Sequence, residues 1–149
     1  MMQVEVLLKL CWMLANVEAK NLGAAEIAPV HFLLGVMKII DPQFPEQLEK
    51  SGVASSEWSA MCQAAQSIRS YIDVMPAKVT AKRRALRARL AGERAREPIA
   101  EDGMLHRSEA MKRAFRDACF VSEGETLTLL GLVRSMFELE LVTLDDIRG

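Results

Sequence analysis

The stretch IAPVHFLLGVM, residues 27–37, joins a helix-start signal to an apolar run and contains the only histidine in the first half of the chain. Pro29 suits the first turn of a helix, because the amide hydrogen that proline lacks has no intrahelical partner there. Apolar residues then recur at helical spacing as far as Ile40, which predicts a helix buried along one face. His31 lies in the first turn of this helix. It is either part of how the helix begins and packs, or a metal-binding or catalytic group.

Amphipathic helices are predicted on both sides of this stretch. A first helix from about residue 4 to residue 22 ends before Gly23, a residue type that often stops helices. Its predicted apolar stripe is Leu7, Leu10, Cys11, Leu14 and Val17. A short helix follows the central stretch and ends at Gly52, after which Ser55 or Ser56 is expected to cap a longer helix. The predicted buried face of that helix is Trp58, Met61, Cys62, Ala65, Ile68 and Ile72.

The composition predicts an all-α fold. Half of the 149 residues are hydrophobic but only 5% are aromatic, and the abundant Ala, Leu, Met, Glu and Arg residues have high helix propensity. A chain of this length buries a sufficient core without a disulfide or a metal, so we expect one domain. The formal charge of −1 provides no general attraction to nucleic acid or to an anionic membrane.

Cysteine usage and hydropathy indicate a soluble cytoplasmic protein. The three cysteines form no C-x-x-C pair, as expected in a reducing compartment. The apolar N-terminal stretch lacks a basic leader and carries Glu5 and Lys9, so it does not resemble a signal peptide. The longest apolar run, residues 27–37, is too short to span a bilayer.

The second half of the chain repeats the first. Ser108 is expected to cap a helix whose buried face is Met111, Ala114, Phe115 and Ala118. A final helix carries Leu129, Leu130, Val133, Met136 and Phe137. The run FLLGVMKI overlays TLLGLVRSM, with Leu33 on Leu129 and Leu34 on Leu130, and Leu127 then stands opposite His31. The preceding helices overlay with Cys11 on Ala114 and Trp12 on Phe115, and the connection in the second copy is seven residues shorter. Internal repetition of this kind predicts two related helical bundles.

Residues Ala19, Leu22, Gly23, Ile27, Pro29, His31, Leu33 and Leu34 together resemble the Clp N-terminal domain. That domain belongs to the unfoldases and disaggregases of the caseinolytic-protease (Clp) class. LEKSGV at residues 48–53 and SEAMKRAFRDA at residues 108–118 match further steps of its pattern. The resemblance implies a single domain over residues 1–149, made of two pseudo-twofold-related repeats of about four helices. Repeat one covers about residues 1–73, a basic linker about residues 74–104, and repeat two about residues 105–149.

The resemblance also implies a function, which is to bind substrate or adaptor proteins for an AAA+ ATPase located in the same chain or in a partner. The sequence has no G-x-x-x-x-G-K-[ST] loop for nucleotide phosphates, and we expect no enzyme activity, cofactor or metal. Members of the family that bind phosphoarginine have a glutamate directly before the motif histidine. Here Val30 directly precedes His31, and Leu127 stands in the motif of the second repeat; both are apolar and disfavour that ligand. An apolar segment of a client or adaptor protein is the expected partner, with Val30, Leu127 and Thr128 as candidate contacts.

The basic segment 78–96 leaves an alternative open. Its clustered Lys and Arg residues are of the kind that neutralise phosphates, but no aromatic residue lies among them for base stacking. The segment is expected to be a loosely packed linker helix with Leu86 and Leu90 as its thin apolar contact. In the alternative, the protein is a free-standing helical regulator that binds nucleic acid or an acidic protein through this segment.

Overall fold

The computed structural model describes residues 3–93, 103–123, 125–143 and 145. The helices in these residues are α1 (Val6–Asn21), α2 (Pro29–Ile39), α3 (Phe44–Glu49), α4 (Trp58–Ile72), α5 (Pro76–Glu93), α6 (Glu109–Val121) and α7 (Leu129–Glu138). The described chain contains no strand, and the all-α prediction is confirmed. Residues 94–102 of the expected linker, including Arg94 and Arg96, lie outside the described residues, as do Gly124 and most of the tail after residue 143.

Helices α1 and α2 form the centre of the core and approach each other closely at Gly35. A Cβ atom added to Gly35 would lie 3.1 Å from both the carbonyl oxygen and the Sγ of Cys11. Because the helices are this close, small side chains of α1 face α2. The buried apolar face of α1 is Leu7, Leu8, Cys11, Ala15 and Ala19.

The predicted stripe on α1 is therefore partly wrong. Leu7 and Cys11 are buried as expected, but Leu10 and Leu14 are only half-buried and Val17 is 52% exposed. Helical periodicity indicated a face about one residue away from the true one, because α1 is apolar around most of its circumference. The close approach at Gly35 selects the side with alanine, since leucine there would hold the two helices apart.

Several helix ends agree with the sequence. Gly23, two residues after the end of α1, has a φ of 68°, a conformation that costs glycine little because it has no Cβ. The Ser108 hydroxyl accepts a hydrogen bond from the Met111 amide at 3.1 Å, and all four predicted core residues of α6 are buried. The predicted cap of α4 is wrong. A 3₁₀ turn at Ser55–Glu57 precedes the helix, which has no side-chain cap bond.

The basic segment forms α5, which is docked on α2 rather than loosely packed. Val79 and Leu86 are fully or almost fully buried. The Arg87 guanidinium donates two hydrogen bonds to the carboxylate of Glu18 on α1. The Thr80 hydroxyl donates to Asp41, and a guanidinium nitrogen of Arg83 lies 3.9 Å from the same carboxylate. The expectation of a loose linker helix is corrected for the described part of the segment.

Two isolated parallel bridges join the beginnings of four helices. In the first junction, the Leu127 amide donates to the Gln3 carbonyl at 2.8 Å, and the Glu5 amide donates to the Leu127 carbonyl at 2.9 Å. In the second junction, the Ile27 amide donates to the His106 carbonyl at 2.8 Å, and the Ser108 amide donates to the Ile27 carbonyl at 2.9 Å. The four bridged residues each lie two positions before a helix, namely Val4 before α1, Ile27 before α2, Arg107 before α6 and Leu127 before α7.

Aromatic side chains fill the space between α1, α2 and α6. The ring centroid of Trp12 lies 5.0 Å from that of Phe115 and 6.3 Å from that of Phe32. Phe32 and Phe115 meet edge to face at 5.7 Å. Trp12 and Phe115, which the sequence overlay pairs with each other, are thus in direct contact. Leu130, which the sequence overlay pairs with the fully buried Leu34, is only half-buried.

Candidate protein-binding surfaces

His31 takes part in starting α2. The Ala28 amide donates a hydrogen bond to Nδ1 of His31 at 2.8 Å, and the side chain is 4% exposed. A side chain at the third helical position often accepts from the amide before the helix, which satisfies a donor that the helix itself leaves unpaired. This bond gives His31 a part in how the helix begins, which is one of the roles that its position in the sequence suggests. Among the residues described, no group of three or more His, Cys, Asp or Glu side chains is arranged to hold a metal ion.

Of the three predicted contact residues, Leu127 lies at the first junction, Thr128 follows it directly and Val30 lies three residues after the second. Val30, in the first turn of α2, is half-buried. The Thr128 hydroxyl caps α7 by accepting from the Gly131 amide at 3.0 Å. Leu127 is only 3% exposed and is held at the first junction by its own backbone. Its side chain is therefore not available to a partner on this surface, although the residue helps to position Thr128 and the start of α7.

A groove of about 360 Å³ lies between α1 and α3. Phe44 and Leu48 of α3 are almost fully buried beneath it, and the half-buried Leu10 and Leu14 of α1 line its side. We call this the α1–α3 groove. Within the described chain, its lining includes Lys38 and Lys50 but no acidic side chain. The volume falls within the ~300–1,000 Å³ that is common for binding sites.

The α1–α3 groove was not predicted from the sequence, although α1 contained a signal for it. Leu10, Met13, Leu14 and Val17 lie along one flank of the core face of α1, and Met13 and Val17 are 59% and 52% exposed. A helix whose apolar surface extends well beyond its core face usually has a further neighbour there. We call these four residues the outer stripe of α1.

A second cleft, of about 410 Å³, lies beside α6 and is basic. It is lined by Arg107, Lys112, Phe115, Arg116 and Cys119. The Arg107 guanidinium is already engaged, because its central carbon lies 4.6 Å from the Phe115 ring centroid and 5.0 Å from that of Trp12. Such stacking stabilises a cation over an aromatic face. Lys112 is paired with Glu109 at 3.4 Å. Two of the three cations in this cleft thus have partners within the protein.

The charge of α5 is divided between its two sides. Arg83 and Arg87 are directed at Asp41 and Glu18, whereas Lys78 and Arg84 are exposed. Burial lowers the pKa of Arg83 from its usual value, and the nearby carboxylate of Asp41 opposes that effect. Two of its guanidinium nitrogens are buried without a hydrogen bond. A substantial part of the basic segment therefore attaches α5 to the core.

The cysteines provide no activated nucleophile at the core. Burial raises the pKa of the Cys11 thiol far above its ordinary value, so this thiol stays protonated at neutral pH and is unreactive. Its Sγ faces the Phe32 carbonyl at 3.7 Å. Cys62 and Cys119 are half-buried, and all three thiols are free.

Comparisons with protein-family models, with curated proteins and with solved structures found no match for this chain. In the described part of the chain, no helix has the length and apolar character needed to cross a membrane.

Proposed function

We propose that this chain is a non-catalytic protein-binding module of the Clp N-terminal type, which presents unfolded, tagged or adaptor proteins to an AAA+ ATPase in cis or in trans. The single observation that carries the proposal is the pair of matched junctions. Each links the start of one helix in the first half of the chain to the start of one helix in the second half, with the same hydrogen-bond pattern. Two pseudo-twofold-related repeats account for this pattern directly.

The junctions also support a better alignment of the repeats than the sequence overlay. Ile27 and Leu127 hold equivalent places, so Gly131 rather than Leu127 corresponds to His31. Gly35 then corresponds to Ser135, which is 3% exposed. A small buried residue at both positions allows close helix packing in each repeat. The sequence overlay, which pairs Leu33 with Leu129, differs from this alignment by four residues, about one helical turn.

The rival function, a free-standing helical regulator that uses α5, has one observation in its favour. Lys78 and Arg84 are exposed on the same helix and are able to attract phosphates or carboxylates. Arg83 and Arg87, however, face carboxylates of the core. The cationic face is therefore smaller than the sequence suggests, and we rank nucleic-acid binding second. The proposed module would work in the reducing cytoplasm, with which three free cysteines are compatible.

The proposal is tested by mixing the purified protein with fluorescein-labelled β-casein, which lacks stable structure, and measuring fluorescence anisotropy. We expect saturable binding with a Kd on the order of micromolar, since ordering costs offset much of the apolar contact. ATP hydrolysis should not exceed that of a buffer control. Submicromolar binding of DNA or RNA at physiological salt, lost in a Lys78→Glu/Arg84→Glu variant, together with no casein binding, would establish the rival function instead.

A further inference from the structure

The outer stripe of α1 borders the α1–α3 groove and shares Leu10 and Leu14 with it. Leu10 and Leu14 line the groove. Met13 and Val17 lie beside them on the same side of α1, at the i+3 and i+7 positions relative to Leu10, and are more than half exposed. The surface therefore extends over two turns of α1 to the groove, whose floor is formed by the almost fully buried Phe44 and Leu48 of α3.

We propose that this surface binds one amphipathic helix of a client or adaptor protein, with apolar residues facing the α1–α3 groove and acidic residues beside them. The inference deepens the proposed function and rests on it. It names the site and the chemistry of the segment that the module takes.

A helix fits this surface better than an extended peptide. An extended segment gains affinity mainly by pairing its backbone with an exposed strand. The walls here are helices, whose backbone groups are already bonded within each helix, so they offer no such partners. Side-chain ridges at i, i+3, i+4 and i+7 instead match the grooves of another helix.

The acidic character of the partner follows from the lining. Among the residues that the structure describes, Lys38 and Lys50 are the only charged ones that line the α1–α3 groove, and Glu46 and Glu49 of α3 do not line it. Lys50 is exposed, and Lys38 is half-buried in the last turn of α2. Carboxylates next to the apolar anchors of the partner complement these two ammonium groups, whereas lysines there would be repelled.

The test uses two synthetic fluorescein-labelled helical peptides. Both carry leucines at i, i+4 and i+7. One carries glutamates next to the leucines, and the other carries lysines at the same places. We expect the glutamate peptide to bind the intact protein more tightly. Lys50→Glu should weaken that binding about 2–10-fold and improve binding of the lysine peptide, because a single exposed charge contributes modestly.

The apolar part is tested with Val17→Glu, which should weaken binding of both peptides about tenfold or more, since a buried contact becomes a desolvated charge. Phe120→Glu is the matched control, because Phe120 lies at the C-terminal end of α6, is 83% exposed and does not line the groove. This change should leave binding unchanged. Circular dichroism of each variant checks that the fold is intact.

The outcomes separate this inference from the proposed function. If β-casein binds but neither peptide responds to Val17→Glu or Lys50→Glu, the site is elsewhere and only the inference fails. If neither β-casein nor the peptides bind, both fail. A wild-type dimer that Val17→Glu converts to a monomer, seen by sedimentation, would mean that a second copy of the chain covers this surface.

Discussion

At the scale of single residues, His31 shows how a histidine serves a helix start. Its Nδ1 accepts a hydrogen bond from the Ala28 amide, and the side chain is buried. We expect His31→Ala to lower the free energy of unfolding by about 1–3 kcal/mol, because a buried donor loses its acceptor. His31→Gln should lose less, since Gln at this position accepts the same bond. Urea unfolding followed by circular dichroism measures both. Equal losses in the two variants would show that the volume of the imidazole matters and its hydrogen bond does not.

At the scale of elements, the contact between α1 and α2 depends on the absence of a side chain at residue 35. We expect Gly35→Ala to destabilise the protein by about 1–3 kcal/mol, because the new methyl group forces apart two closely packed backbones. Gly92 in α5 is the matched control, since nothing lies within 4 Å of an added Cβ there. Gly92→Ala should be neutral or stabilise by up to about 1 kcal/mol through helix propensity. A Gly35→Ala protein as stable as the wild type would mean that the two helices are not in close contact at this point.

The attachment of α5 is a second property of elements. Glu18 is only 6% exposed, so removing its partner leaves a buried carboxylate without a cation. Arg87→Gln should therefore lower the free energy of unfolding by about 1–3 kcal/mol. Arg84→Gln, on the exposed side of the same helix, should change it by less than about 0.5 kcal/mol. Thermal or urea unfolding distinguishes this docked helix from a solvated linker, for which both variants would behave alike.

At the scale of the whole molecule, the two junctions hold the first and second halves of the chain together. The amides of Ile27 and Leu127 lie outside helices, yet both are bonded across a junction. We expect them to exchange hydrogen with solvent slowly, at rates close to those of core helix amides, because opening either junction requires the halves to separate. Exposed neighbours such as Glu26 and Thr126 should exchange much faster. Hydrogen exchange read by NMR measures both sets. Fast exchange at Leu127 alone would mean that only the second junction, at Ile27, is stable.

The sequence by itself determined the helical class and many local features of this protein. Pro29, Gly23 and Ser108 act within one or two turns of themselves, so their effects on helix ends could be predicted without knowing what lies nearby in space. The same holds for the core face of α6, where apolar and polar residues separate clearly. The place of His31 in the first turn of α2 was also predictable, because the helix start that it supports is a local feature.

Only the tertiary structure decided which side of α1 faces the core and whether α5 is attached to it. Leu10 and Leu14 looked like core residues because periodicity records the spacing of apolar residues and not their distance to a neighbouring helix. The side of α1 that is buried depends on its close contact with Gly35, which lies on α2. The role of Arg87 depends on Glu18, which is 69 residues away in sequence. The contact between the first and second halves of the chain and the burial of Leu127 accompany two backbone bridges between distant segments. Contacts of this kind depend on chain positions that come together only on folding, and the α1–α3 groove is one of their consequences.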